Sequence, residues 1–230
     1  MELERIVAGL VEKIERRFYG KYRAIVVDNE DPAHLGRLKL RIPSVLGTDV
    51  VTGWATPCTP YGGAADQGFL FVPERNAGVW VEFEEGDLEF PIWVGTYWSR
   101  PGAESQLPKP QADDGTEQDE VRDPPTRKII KTLKGHTIQF EDKDSEELVT
   151  IVEAVNGNVI TLNKDGITIV DTSQNTVVLS DDGVKITDKT GNAVEMTGSA
   201  FTLTAKVAFK LDASGQAVTI VGDSIDLQKG

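Results

Sequence analysis

Apolar and polar positions follow three successive patterns along the chain. First, Leu3, Ile6, Val7, Leu10, Val11 and Ile14 recur at helical spacing as one narrow stripe. Glu2 and Glu4 precede it and Lys13, Arg16 and Arg17 end it, the order a helix dipole favours, with Gly20 as a stop. The spacing predicts an amphipathic helix over 1–20, packed on its own domain or on a partner.

From Tyr22 to Trp98 the period becomes two. "YRAIVVDN" reads as a strand ending in the turn pair Asp28-Asn29. After a turn at Asp31-Pro32, Leu38, Leu40 and Ile42 point one way and Arg37, Lys39 and Arg41 the other. "GWATPCTP" and "GFLFVP" add short strands bounded by Gly and Pro. "GVWVEFEEGDLEFPIWVG" closes the set as a hairpin, with Val79–Phe83 and Pro91–Val94 flanking the acidic turn Glu84–Glu89. Five or six short strands with no convincing helix between them predict a small antiparallel barrel over 21–98. Residues 99–127 carry five prolines, many acids and almost no large apolar side chain, and read as a tether.

Over 128–230 apolar residues come in alternating pairs: Ile138/Phe140, Ile160/Leu162, Ile167/Ile169, Val177/Leu179, Val184/Ile186, Val194/Met196, Phe201/Leu203, Phe209/Leu211, Val218/Ile220 and Ile225/Leu227. Turns such as Asp165-Gly166, Asp182-Gly183 and Gly222-Asp223 separate them, giving units of seven to nine residues, a degenerate octad repeat. A five-residue strand gains roughly 3–6 kcal/mol from burying two apolar side chains. Ordering its backbone costs roughly 5–10 kcal/mol before hydrogen bonds contribute. A lone meander leaves its apolar row half wet, so the row needs other rows. One chain could coil as a solenoid, but neither an asparagine ladder nor a strict coil length stands out in the sequence. The alternative is an intertwined trimer in which strands pair between chains, a prism with outward Thr, Lys, Asp and Glu and no open edge. The fold class expected is therefore all-β: an N-terminal helix, a barrel, then a triple-stranded β-helix formed by a homotrimer.

Charge removes one class of partner. The 230 residues carry net charge −13; the first 100 hold 11 basic and 15 acidic groups, the remainder 13 and 22. Such a surface repels nucleic acid and anionic membrane. No run of about 18 apolar residues occurs and the first 20 residues lack a signal-peptide core. The single cysteine, Cys58, excludes an intrachain disulfide, and assembly in a reducing cytosol is the expectation.

Candidate chemistry is sparse. Glu82, Glu84, Glu85, Asp87 and Glu89 crowd one hairpin, but acid–base work needs two held carboxylates, one with its pKa raised by burial, and a turn at Gly86 is expected to be solvated. "DKDSEE" (142–147) lacks the glycine and terminal glutamate of an EF-hand loop and reads as a turn. Cys58 lacks a neighbouring histidine and is expected to be a buried packing thiol. His34 is expected at the surface, and His136 at the start of the repeat. No phosphate-binding glycine loop occurs. No catalytic, cofactor-binding or metal-binding residue is expected.

The combination of barrel, tether and β-repeat resembles the spike proteins of contractile tails. In Gly78-Val79-Trp80-Val81-Glu82-Phe83, Glu85-Gly86-Asp87 and Pro91-Ile92-Trp93-Val94-Gly95 the hairpin is similar to the OB-fold domain of the baseplate assembly protein V and VgrG group. Asp31-Pro32, then Leu35-Gly36-Arg37-Leu38-Lys39-Leu40-Arg41-Ile42-Pro43, resembles that group's "DP…GRVKVRFP" strand; Trp54-Ala55 and Pro73 also match its pattern. The resemblance implies a homotrimer whose OB ring sits beneath a hub protein and whose prism pierces the target envelope in transient membrane contact, possessing no enzyme activity. It would be assembled in the bacterial cytoplasm as part of a phage-tail-like particle. It assigns interface or structural roles to Trp80, Phe83, Gly86, Asp87, Pro91, Trp93, Gly95 and Arg37. About 30 residues between barrel and repeat leave no room for a lysozyme domain, and a stand-alone spike without a fused hub is expected. The end "VGDSIDLQKG" lacks the His-x-His of iron-binding tips, so Ile225 and Leu227 are expected to seat a separate tip protein of the PAAR type, with cargo as a further partner. Two other classes remain: an OB-type nucleic-acid module, for which Arg37, Lys39 and Arg41 are candidates, and a tail fibre or adhesin, against which the lack of a globular domain after Leu227 argues.

Overall fold

The computed structural model describes residues 3–7, 9, 17–119 and 122–228. The chain is nearly all β and divides into two units, Met1–Leu107 and Pro108–Gly230. Residues 3–7 are helical and exposed; Leu10, Val11 and Ile14 of the expected apolar stripe lie outside the described residues.

In the first unit the period-two alternation closes a barrel. Its strands are β1 (Tyr22–Asp28), β2 (Leu38–Arg41), β3 (Val51–Pro57), β4 (Gly78–Phe83) and β5 (Pro91–Thr96), hydrogen-bonded in the order β1-β2-β3-β5-β4 and back to β1. The β3–β5 contact is parallel and the others are antiparallel. Alternate side chains turn inward, so Ala24, Val26, Leu38, Leu40, Ile42, Ala55, Val79, Val81, Phe83 and Trp93 form the core. A single helical turn, α1 (Pro43–Leu46), follows β2; Pro43 opens it and Gly47, at φ 78°, ends it.

The expected strand "GFLFVP" does not form. It lies in the loop between β3 and β4, where Phe69, Leu70 and Phe71 stay exposed. The closed barrel leaves no strand edge for it, and its neighbour Gly68, at φ 144°, packs against Tyr61 and Gly62 in a local turn. Cys58, expected to be buried, is exposed just past the end of β3, where its backbone N–H donates to the Trp93 carbonyl (2.9 Å).

The second unit is a nine-stranded antiparallel meander. Its strands are β6 (Arg127–Lys131), β7 (Thr137–Glu141), β8 (Leu148–Glu153), β9 (Asn158–Asn163), β10 (Gly166–Val170), β11 (Thr176–Ser180), β12 (Gly183–Thr187), β13 (Ala193–Thr197) and β14 (Phe201–Thr204), each paired with its neighbours in sequence. These ladders lie within one chain.

The repeat is a two-strand unit of 17 residues. Asn158, Asn175 and Asn192 stand at that spacing, and the Oδ1 of each accepts the backbone N–H fourteen residues on, from Thr172, Lys189 and Lys206. An asparagine series is therefore present, at a spacing too long for the octad pattern to reveal. Asp171 and Asp188 hold their asparagines through side-chain hydrogen bonds of 2.6 and 2.7 Å. Gly166 and Gly183 share the same spacing: φ is 127° and 133°, and a Cβ on either would lie 1.9 Å from the carbonyl oxygen of Leu179 or Met196. Only glycine fits there. The next asparagine position is Phe209, the next glycine position is Ala200, and residues 205–228 form no strand. The expected pairs Phe209/Leu211, Val218/Ile220 and Ile225/Leu227 are thus exposed chain rather than strands.

The expected 99–127 tether is not all free chain. Gln111 is buried: its N–H donates to Gln139 Oε1 and its carbonyl accepts from Gln139 Nε2, both at 2.9 Å. Thr161 Oγ1 donates to the Asp113 carbonyl (2.8 Å), and Lys131 Nζ bonds the Lys109 carbonyl (3.1 Å) and Glu117 (2.6 Å). A stretch without large apolar residues is docked here by amides, hydroxyls and charges, which hydrophobic content does not register.

Candidate assembly surfaces

The meander is covered on the opposite face from the one its composition favours. Strand register joins Ile130, Ile138, Ile151, Ile160, Ile169, Val177, Ile186, Val194 and Leu203 into one continuous cross-strand row. A second row joins Phe140, Val149, Leu162, Ile167, Leu179, Val184, Met196 and Phe201. Both rows lie on one face, where Phe140 is 43% exposed, Ile186 46% and Phe201 64%. On the other face the cross-strand row Gln139, Thr150, Thr161 is buried beneath the 108–119 segment. A sheet normally buries its apolar side. Over β7–β9 this one buries Gln139, Thr150 and Thr161 with Val152 and Val159, and it leaves two apolar ladders wet.

In the barrel, Arg37 is part of a turn clamp. Its Nη2 donates to Asp31 Oδ1 at 2.6 Å and its Nε reaches both Asp31 oxygens at 3.1 Å. The N–H groups of Ala33, Leu35 and Arg37 converge on the same carboxylate. The Arg37 guanidinium, against the opposing effect of burial, holds Asp31 well below the usual carboxylate range. Phe83 and Trp93 are core residues, and Trp93 Nε1 donates to the Gly36 carbonyl (3.1 Å), tying the core to that turn. Pro91 is buried opposite Phe83, and Gly95 sits at a register shift where Trp80 and Val81 pair with Gly95 and Trp93.

Gly86, expected at a solvated tip, is buried. Phe18 N–H donates to its carbonyl (2.9 Å), and a Cβ there would lie 3.0 Å from the Tyr19 ring. Asp87 accepts from Arg17 (3.4 Å), while Glu82 pairs with Lys21 (2.5 Å). Glu84, Glu85 and Glu89 are exposed and, among the described residues, have no side-chain ion pair.

Trp80 faces outward rather than into the core. Arg23 lies 5.5 Å over its ring and 5.4 Å over that of Tyr97. On the neighbouring strands, Lys39 of β2 lies 4.9 Å over its register partner Trp54 of β3. Neither of these pairings was legible from spacing, because each joins different strands. His34 is exposed at φ 54°, and His136 Nδ1 accepts the Ala154 N–H (3.3 Å). Residues 142–147 form the exposed β7–β8 turn. Among the described residues no three His, Cys, Asp or Glu side chains group as metal ligands. Ile225 and Leu227 are exposed.

A closed five-stranded barrel of order β1-β2-β3-β5-β4 is of the OB type. Residues 22–98, the whole of that barrel, match the family described as the type VI secretion system/phage-baseplate injector OB domain. No curated protein matches the chain. The barrel is thus similar to a structural domain of injector baseplates, and the remaining residues lie outside the match.

Proposed function

We propose that three copies of this chain form the spike of a contractile injection machine. The observation that carries this reading is the meander's open apolar face: two apolar ladders run the length of β6–β14 uncovered, while over β7–β9 the other face is covered by the chain's own segment. Ladders of three copies meeting about a common axis would leave water together, each square ångström contributing roughly 25 cal/mol. The injector OB match over residues 22–98 supports a place at a baseplate. In this reading the OB barrels sit beneath a hub protein, and the meanders form the rigid needle that crosses the target envelope. Ile225 and Leu227 at the far end seat a separate tip protein, and cargo travels with it. The spike is built in the bacterial cytoplasm as part of a phage-tail-like particle and works mechanically, without a catalytic centre.

Light scattering on the purified chain tests the reading. A mass three times 25.1 kDa is expected, and a stable 25.1 kDa species overturns it.

A further inference from the structure

The outer wall of the barrel carries a strip of cations and aromatics in which, among the described residues, Arg23 and Arg41 have no acidic partner and Lys39 faces only Asp28, a carboxylate that Arg75 already pairs at 3.0 Å. Register sets Arg23 of β1 opposite Trp80 of β4, Ile25 opposite Arg41 of β2, and Lys39 opposite Trp54 of β3. These side chains therefore occupy one outward strip across four adjacent strands. Arg23 stacks over Trp80 and Tyr97, and Lys39 over Trp54, so two of the cations are held in place by aromatic faces. Among the described residues no ion pair within 4 Å holds Arg23, Lys39 or Arg41, although Lys39 lies across the β1–β2 register from Asp28, the partner of Arg75.

The same barrel carries the complement elsewhere. The β4–β5 turn presents Glu84, Glu85 and Glu89, none with a side-chain ion pair among the described residues, beside Phe90, which is 59% exposed. Three cations with aromatics and three carboxylates with one aromatic lie on one barrel without meeting. When two complementary patches sit at different places on a subunit, a head-to-tail contact satisfies both and, if the rotation closes, builds a ring. Three copies satisfy three such pairs, with neither patch left over. A polyanion such as single-stranded nucleic acid would satisfy the cations, but would meet the repulsion of a chain of charge −13 and leave the carboxylates unmatched.

We infer that the Arg23/Lys39/Arg41 strip of one OB barrel docks the Glu84–Phe90 turn of the next copy, making a heterologous ring contact separate from the apolar ladders. The inference rests on the trimer reading and names its barrel interface. It also assigns the hairpin acids a role: they face a neighbouring subunit.

Zero-length carbodiimide coupling of the full chain, followed by mass spectrometry of covalent dimers, tests it. Lys39 joined to Glu84, Glu85 or Glu89 is expected in the dimers, and Lys21–Glu82, 2.5 Å apart within one chain, reports that the chemistry worked. K39R, which keeps the charge and removes the amine, loses the Lys39 product while the assembly keeps its mass. A trimer that yields Lys21–Glu82 without the Lys39 product overturns this contact and leaves the spike reading standing. A monomer overturns both. Loss of the Lys39 product on adding an oligothymidylate, with the trimer intact, overturns the contact in favour of nucleic acid.

Discussion

The barrel and the meander use the same period-two alternation to opposite ends. In the barrel, five strands curl until the apolar side faces itself, and Leu38, Leu40, Ile42, Val79 and Val81 are fully buried within one chain. In the meander, nine strands lie side by side, nothing closes, and the apolar side stays exposed. The first apolar face is covered within one chain and the second is left open. Alternation makes a sheet face apolar; curvature decides whether the chain can cover that face itself.

The comparison can be broken most directly on the exposed ladders. I169D/I186D places two charges in the apolar row and is expected to reduce the light-scattering mass threefold, to single chains, with the barrel still folded. The polar-face change T168A should leave the mass unaltered. In the barrel, Leu40→Ala is expected to reverse the outcome: stability falls by about 2–5 kcal/mol in denaturant unfolding through the cavity left behind, with no change of assembly mass.

Within the meander, Gly183→Ala tests the 17-residue unit. Its Cβ would meet the Met196 carbonyl oxygen, and forcing the β12–β13 pairing apart should cost about 1–3 kcal/mol, read as a lower thermal midpoint and faster amide exchange at β13. The smallest effect is expected from Asp31→Asn. Because Arg37 keeps the folded-state Asp31 pKa below its ordinary 3.8, the pair's contribution is present above that pH and is lost as pH falls through the folded value. Urea unfolding followed from pH 6 to pH 2 should therefore show a shallower acid loss in D31N than in the parent chain.

Much of the barrel was legible in residues. The Leu38–Leu40–Ile42 alternation sorted the core from Arg37, Lys39 and Arg41, and the hairpin at 77–95 formed as β4 and β5. "GFLFVP" misled because apolar content signals burial only when a strand edge is available to pair it. Gln111 was invisible for the converse reason: its burial rests on two amide hydrogen bonds to Gln139, a residue 28 positions away. Gly86 looked solvated because the residues that cover it, Phe18 and Tyr19, come from another part of the chain. The octad reading caught single strands, whereas the asparagine links, spanning fourteen residues between turns, showed that the unit is two strands.

What the chain determines by itself is local: where it alternates, where glycine must turn it, and therefore where strands and apolar rows lie. Which side of each sheet is covered was decided only in three dimensions. Covering depends on closure of β4 onto β1 in the barrel, and on the docking of residues 108–119 over Gln139, Thr150 and Thr161 in the meander. Side-chain alternation is a property of neighbouring residues, but burial is a property of whatever distant surface arrives to exclude the water.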